Sequence, residues 1–201
     1  LDYSGNNNTG TWVGGVGTAP GVRVSPYDFK NAGNFDGVNS YVDGIGASLQ
    51  NLPNVTIAAW VNPTATPVFG NVVAKYSYAN GGMILRISQI SNGRLTPHIY
   101  TDTWHTCSGS VIPLNVWTHV AIRYDGTTLK GYVNGLEDCT TTPAVGGNLS
   151  LNPTAFLIDT TGGDHFPGLI DDVRIYNRAL SPDEVQVLYG TNPPGSGCLP
   201  S

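Results

Sequence analysis

The sequence predicts an all-β protein, a two-sheet antiparallel sandwich closed by one short C-terminal helix. Three observations predict it. About a dozen short runs alternate apolar and polar residues, the signature of half-buried strands. Turn formers separate these runs, with 26 glycines and 14 prolines among 201 residues. One stretch alone carries a helix start, Ser181-Pro182-Asp183-Glu184, with acids in the first turn. No internal repeat is visible, and this length fits one domain over 1–190 with a Pro/Gly-rich tail or linker over 191–201.

Taken in order, Leu1 to Gly17 is too rich in Gly and Asn for regular structure. The side chains of Asp2, Ser4, Asn6 and Asn8 form the hard-oxygen set that calcium prefers, and they equally suit an Asx-turn loop. Asp36-Gly37 and Asn39 mark a tight hairpin turn between two short strands. In Val55 to Val61, Val55, Ile57, Ala59 and Val61 share one face, and Thr56, Ala58 and Trp60 the other; both are apolar enough for a strand inside a core.

Asn71 to Tyr78 and Gly82 to Ser88 are strands around Asn80-Gly81-Gly82. Met83, Leu85 and Ile87 form the apolar side of the second, with Arg86 on its polar side. Leu95 to Trp104 reads as one strand, with Leu95, Pro97 and Ile99 on one face and His98, Tyr100, Asp102 and Trp104 on the other. Rings interleaved with a carboxylate and an imidazole are a means of gripping sugar; cross-strand packing is the other use of such a stripe. Trp117 to Tyr124 pairs with Leu129 to Asn134 across Asp125-Gly126, and Asn134-Gly135 turns the chain into Leu136 to Thr140. A further strand follows at Ala155 to Asp159.

The closing run, Phe166 to Leu180, carries paired acids. A regular alternation puts Asp171, Val173 and Ile175 on one face and Ile170, Asp172, Arg174 and Tyr176 on the other. A carboxylate among apolar residues must be hydrogen-bonded, ion-paired or bound to a metal. Calcium is one solution; pairing of Asp172 with Arg174 and capping of a loop by Asp171 is the other. The helix spans Pro182 to Tyr189.

Composition narrows the function. Only 11% of residues are charged, against roughly 25% in typical soluble proteins, so Thr, Asn and Gly fill the surface. Net charge is −5 with no Lys/Arg cluster, which makes nucleic acid and anionic membrane poor partners. No run is long enough to span a bilayer. Beginning at Leu1, the sequence reads as a mature chain or an excised domain. Of three cysteines, Cys107 and Cys139 flank a strand pair in loop-like sequence and are expected to form a disulfide; Cys198 in the tail is left for another chain.

Several stretches, in order, resemble the laminin-G-like domains of the concanavalin A-like lectin/glucanase group: LDYSGNNNTG, FDGVNSYVDG, VTIAAWVNP, VVAKY, WTHVAIRYDGTTLKGYVNG and FPGLIDDVRIYNRALSPDEV. Together they span nearly the whole chain. The resemblance implies a concanavalin A-like jelly roll with adjacent terminal strands. It also implies a structural Ca2+ where the opening loop meets the closing strand, held by Asp2, Asn6 and Asp171, with Asp172 as the alternative to Asp171.

Glucanases of that group place catalytic carboxylates on one strand as Glu-x-Asp-x-Glu, because retaining hydrolysis needs two roughly 5 Å apart. Here Glu137 and Glu184 stand in different elements. The expectation is therefore a secreted, non-catalytic recognition module that binds a polysaccharide or glycan through His98, Tyr100, Asp102 and Trp104, with Arg86 on a neighbouring strand. Tyr76, Tyr78 and His165 stand in reserve. The rival readings are a self-associating structural subunit of an extracellular filament or surface layer, and a polysaccharide-degrading enzyme.

Overall fold

The structure, a computed structural model, describes residues 8–14, 17–20, 31–45, 52–66, 69–77, 81–88, 92–143, 146, 149 and 156–190. Fifteen strands and one helix lie among them. In chain order they are β1 (Thr11–Val13), β2 (Gly17–Pro20), β3 (Asn31–Asp36), β4 (Tyr41–Ile45), β5 (Val55–Pro63), β6 (Phe69–Ser77), β7 (Gly81–Ser88) and β8 (Arg94–Leu95). There follow β9 (His98–Tyr100), β10 (Trp104–Thr106), β11 (Thr118–Tyr124), β12 (Leu129–Val133), β13 (Leu136–Thr141), β14 (Phe156–Ile158), β15 (Pro167–Tyr176) and α1 (Pro182–Gly190).

These strands form a jelly-roll sandwich of two antiparallel sheets. The front sheet runs β1-β4-β14-β6-β7-β9-β10, with β8 paired to β7; the back sheet runs β13-β12-β11-β5-β15-β3-β2. Alternation decides what fills the space between them. Val55, Ile57, Ala59 and Val61 of the central back strand meet Met83, Leu85 and Ile87 of the front sheet in one buried cluster. The opposite face of β5 is apolar too because α1 covers it: Ala58 packs with Leu180, Val185 and Leu188. Trp60 packs with Trp117 and Tyr189.

The helix is fixed at its start. The Ser181 amide donates to Glu184 Oε2 and the Glu184 amide to Ser181 Oγ, a reciprocal capping box. Upstream, the buried Thr56 hydroxyl donates to the Arg178 carbonyl and accepts the Leu180 amide, tying the approach to the helix onto β5.

Three expectations are corrected. The turn at Asp36-Gly37 is not a hairpin: β3 belongs to the back sheet and β4 to the front, so the chain changes sheets there. Asp36 Oδ1 accepts the amides of Val38, Asn39 and Ser40, and these bonds hold the crossing and keep its carboxyl well below the ordinary range. The run from Leu95 to Trp104 is not one strand: Leu95 ends β8, and from His98 the chain forms the β9–β10 hairpin with a bend at 101–103. In β15 the alternation breaks at a β-bulge: Asp171 faces Trp60 across the ladder while Arg174 faces Ala58, so one extra residue is inserted, and Asp172 takes φ 46°. As a result Ile170, Val173 and Ile175 all pack on the core, and Asp171 shares the outer face with Trp60.

Cys107 and Cys139 are disulfide-bonded, Cα atoms 5.7 Å apart. The bond joins the chain just after β10, at one edge of the front sheet, to β13, at one edge of the back sheet. Gly131 makes room for it, since a Cβ there would lie 2.9 Å from Cys139 Sγ. No helix among the described residues is long and apolar enough to cross a membrane. The tail 191–201, with Cys198, lies outside the described residues.

Candidate functional site

The register of β7, β9 and β10 assembles a row of side chains on the outer face of the front sheet. Met83 and Ile99 pair inward, so Ile84 and its partner His98 point outward. Tyr100, two residues on, shares that face and meets Trp104 directly across the β9–β10 hairpin. The rings of Tyr100 and Trp104 stand edge to face, centroids 5.4 Å apart, and His98 lies 6.4 Å from Trp104. Tyr100, Trp104 and His98 are half-buried, so each keeps surface for a ligand.

His98 Nδ1 lies 2.8 Å from the Thr96 carbonyl. A carbonyl only accepts, so Nδ1 carries the proton, and in the neutral ring Nε2 is an acceptor. Burial, reinforced by the nearby Arg86 charge, pushes the imidazole down to about 4. The ring is therefore neutral at ordinary pH.

Two expected contact residues have other work. Arg86 donates from Nε to Asn71 Oδ1 at 2.8 Å and from Nη2 to Asp164 Oδ2 at 2.9 Å, with its guanidinium 4.8 Å from the Phe69 ring centre. Its side chain is 10% exposed, and it anchors the β14–β15 loop to the sheet. Asp102 sits in the bend at the hairpin tip rather than on the strand face. Its Oδ1 accepts from the Thr101 hydroxyl at 2.8 Å and lies 2.7 Å from His105 Nε2, which steadies the bend. The reserve residue His165 is turned inward against Asp159; Tyr78 and the Tyr76 side chain lie outside the described residues.

Beside the aromatic row opens a cleft of about 360 Å³ lined by Phe69, Ser88, Thr96, His98, Thr106, Cys107 and Ser108. Most of these residues carry no signal in the sequence that marks them as a site. Thr96 was legible, since the alternation that turns His98 outward turns Thr96 the same way. Phe69 was not, because the sequence marks no strand before Asn71.

Asp2 and Asn6 lie outside the described residues. Asp172 Oδ1 accepts Arg174 Nε at 2.8 Å, and a carboxylate facing a guanidinium is a poor partner for a second cation. Asp171 Oδ1 accepts the Asp172 amide. On the same outer face of β5, two residues from Trp60, the Asn62 side-chain oxygen is buried with no hydrogen-bond partner among the described residues. A carboxylate and a neutral amide oxygen on neighbouring strands fit calcium's ligand chemistry. Among the described residues no three His, Cys, Asp or Glu side chains are grouped to hold a metal ion.

The fold recurs in proteins of known structure. The binding domain of Paraclostridial Mosquitocidal Protein 1 superposes with a TM-score of 0.71 at 17% identity, over 94% of this chain and 48% of that one. Domain 4 of AbnA, a GH43 extracellular arabinanase from Geobacillus stearothermophilus solved in complex with arabinotriose, superposes at 0.67 and 22% identity, over 94% and 91%. By sequence, the chain is 26% identical over 157 residues to Adhesion G-protein coupled receptor V1 of Danio rerio, matching 70% of this chain and spanning 2% of the receptor. A laminin-G-like family model described as the concanavalin A-like lectin/glucanases superfamily matches residues 35–186, and the chain belongs to that family.

Proposed function

We propose that this chain is an extracellular, non-catalytic recognition module that binds carbohydrate on the outer face of its front sheet. The observation that carries the reading is the row of His98, Tyr100 and Trp104, whose partly exposed rings stand beside an open cleft. Ring faces and edges suit the apolar patches of a pyranose, and the neutral imidazole suits its hydroxyls. That a structural neighbour is a binding domain and another holds arabinotriose supports the reading. The disulfide suits an oxidising, extracellular setting. Both glutamates hold structural places: Glu137 pairs with Lys130, and Glu184 with Arg178 in the helix cap.

The experiment is a glycan-array screen of the purified protein beside Trp104→Ala, with circular dichroism on both. A glycan signal lost in the folded variant supports the reading; no signal from the unaltered protein on any glycan sinks it. We further propose a structural calcium ion held by Asp171 and Asn62 together with Asp2 and Asn6 of the opening segment.

A further inference from the structure

We propose that the cleft beside the disulfide is the subsite that selects the ligand, and that it takes an uncharged sugar ring whose hydroxyls bond Thr96 Oγ1 and His98 Nε2. The inference rests on the carbohydrate reading above and narrows it to neutral glycans.

Thr96 is the first support. It is 5% exposed, it lines the cleft, and among the described residues its hydroxyl has no hydrogen-bond partner. A buried unpaired hydroxyl is costly, and a ligand hydroxyl entering the cleft relieves it. The Thr96 amide is already bonded to the Arg86 carbonyl, so the backbone is fixed and the side chain alone is left to be satisfied. His98 is the second support. Its Nδ1 is committed to the Thr96 carbonyl, which leaves an acceptor for a sugar O–H.

Charge supplies the third. The described lining contains hydroxyls, an imidazole, a phenyl ring and the disulfide, and neither Lys, Arg nor carboxylate. Arg86, the cation whose field reaches His98, is matched by Asp164. Arg94, on β8, gives Nη1 to the Gly109 carbonyl and does not line the cleft. A uronic or sialic carboxylate placed there would be desolvated without a counter-ion. The size, about 360 Å³, lies at the low end for small-molecule pockets and suits a sugar ring with its substituents.

The test is calorimetric titration of the folded protein with neutral trisaccharides (arabinotriose, xylotriose, cellotriose) and acidic ones (trigalacturonic acid, sialyllactose), repeated on Thr96→Val, Thr96→Ser and Trp104→Ala. The expected result is binding of a neutral sugar, weakened about five- to tenfold in Thr96→Val and kept in Thr96→Ser. Thr96→Val should melt no lower than the unaltered protein, since it removes an unpaired hydroxyl. A neutral sugar lost only in Trp104→Ala, with Thr96→Val unchanged, overturns the cleft and leaves the carbohydrate reading standing. Preference for an acidic sugar overturns the neutral class alone. Binding of no sugar in this panel or on the array overturns both.

Discussion

Trp104 stands directly across the β9–β10 hairpin from Tyr100, ring centroids 5.4 Å apart and planes at 74°. An edge-to-face pair of this kind contributes about 0.5–1.5 kcal/mol beyond buried area. Because both rings are half-buried at the edge of the sandwich, the pair costs the fold little to lose. Trp104→Ala should lower the melting temperature by only a few degrees, while weakening glycan affinity at least about tenfold, as loss of an aromatic anchor does. Titration and thermal melts on the same sample check it. A variant that binds normally moves the site off this hairpin.

Reduction of Cys107–Cys139 should loosen one edge of the sandwich. The bond closes a loop with a sequence separation of 32, for which chain entropy gives about 3–4 kcal/mol. A Cys107→Ser/Cys139→Ser double variant should therefore show an unfolding free energy lowered to that extent, read from denaturant titration. Because Cys107 also lines the cleft, sugar affinity should fall even at temperatures where the variant is folded.

The sandwich, the disulfide and the helix were legible in the sequence because each rests on local or strongly periodic signals. Val55 to Val61 carries its pattern over seven residues, and Ser181 to Glu184 carries a complete capping box. The misread places all depend on one residue of register or one choice of partner. The bend at 101–103 splits an unbroken alternation, so Asp102 passed for a strand residue when it belongs to a turn. The extra residue at Asp172 reverses the faces of β15, and no composition signal announces a bulge built on Asp rather than Gly. The alternation puts Arg86 on the right face, but its partner Asp164 lies far along the chain, and no pattern within β7 shows that its charge is already matched.

Stability should peak near pH 6.5. Burial pushes the Asp159 carboxyl up to about 8, the fields of Asp36 and Asp164 adding to it, and burial pushes His165, its partner at 3.3 Å, down. The pair is therefore a protonated carboxyl beside a neutral imidazole. Between about pH 4 and 8 folded Asp159 keeps a proton that the unfolded chain has released, so its contribution falls as pH rises through that window. His98 and His119 run the other way. Burial pushes both down to about 4, so below about 6.5 the unfolded chain takes up protons the folded one refuses, and stability is lost as pH falls towards 4. Melts across pH 4 to 9 should show both limbs. Asp159→Asn, which keeps an oxygen for the Phe166 amide, should flatten the upper limb, and His119→Gln should soften the lower one.

The adjacent acids of β15 should separate in their response to calcium. Asp172 is bonded to Arg174, and the left-handed backbone at Asp172 leaves Asp171 on the outer face near Asn62. If calcium binds there, an ion at about a hundred times its dissociation constant stabilises the fold by about 2.7 kcal/mol. For a domain of this size that is a rise of roughly 5–10 °C over the chelated protein. Asp171→Asn should abolish most of that rise while leaving the chelated melt nearly unchanged. Asp172→Asn should do the reverse: it breaks a partly buried ion pair, lowers the melt with or without calcium, and preserves the difference between the two. If the calcium response instead survives Asp171→Asn and disappears in Asp172→Asn, then Asp172 is the ligand and Arg174 must turn aside to admit the ion.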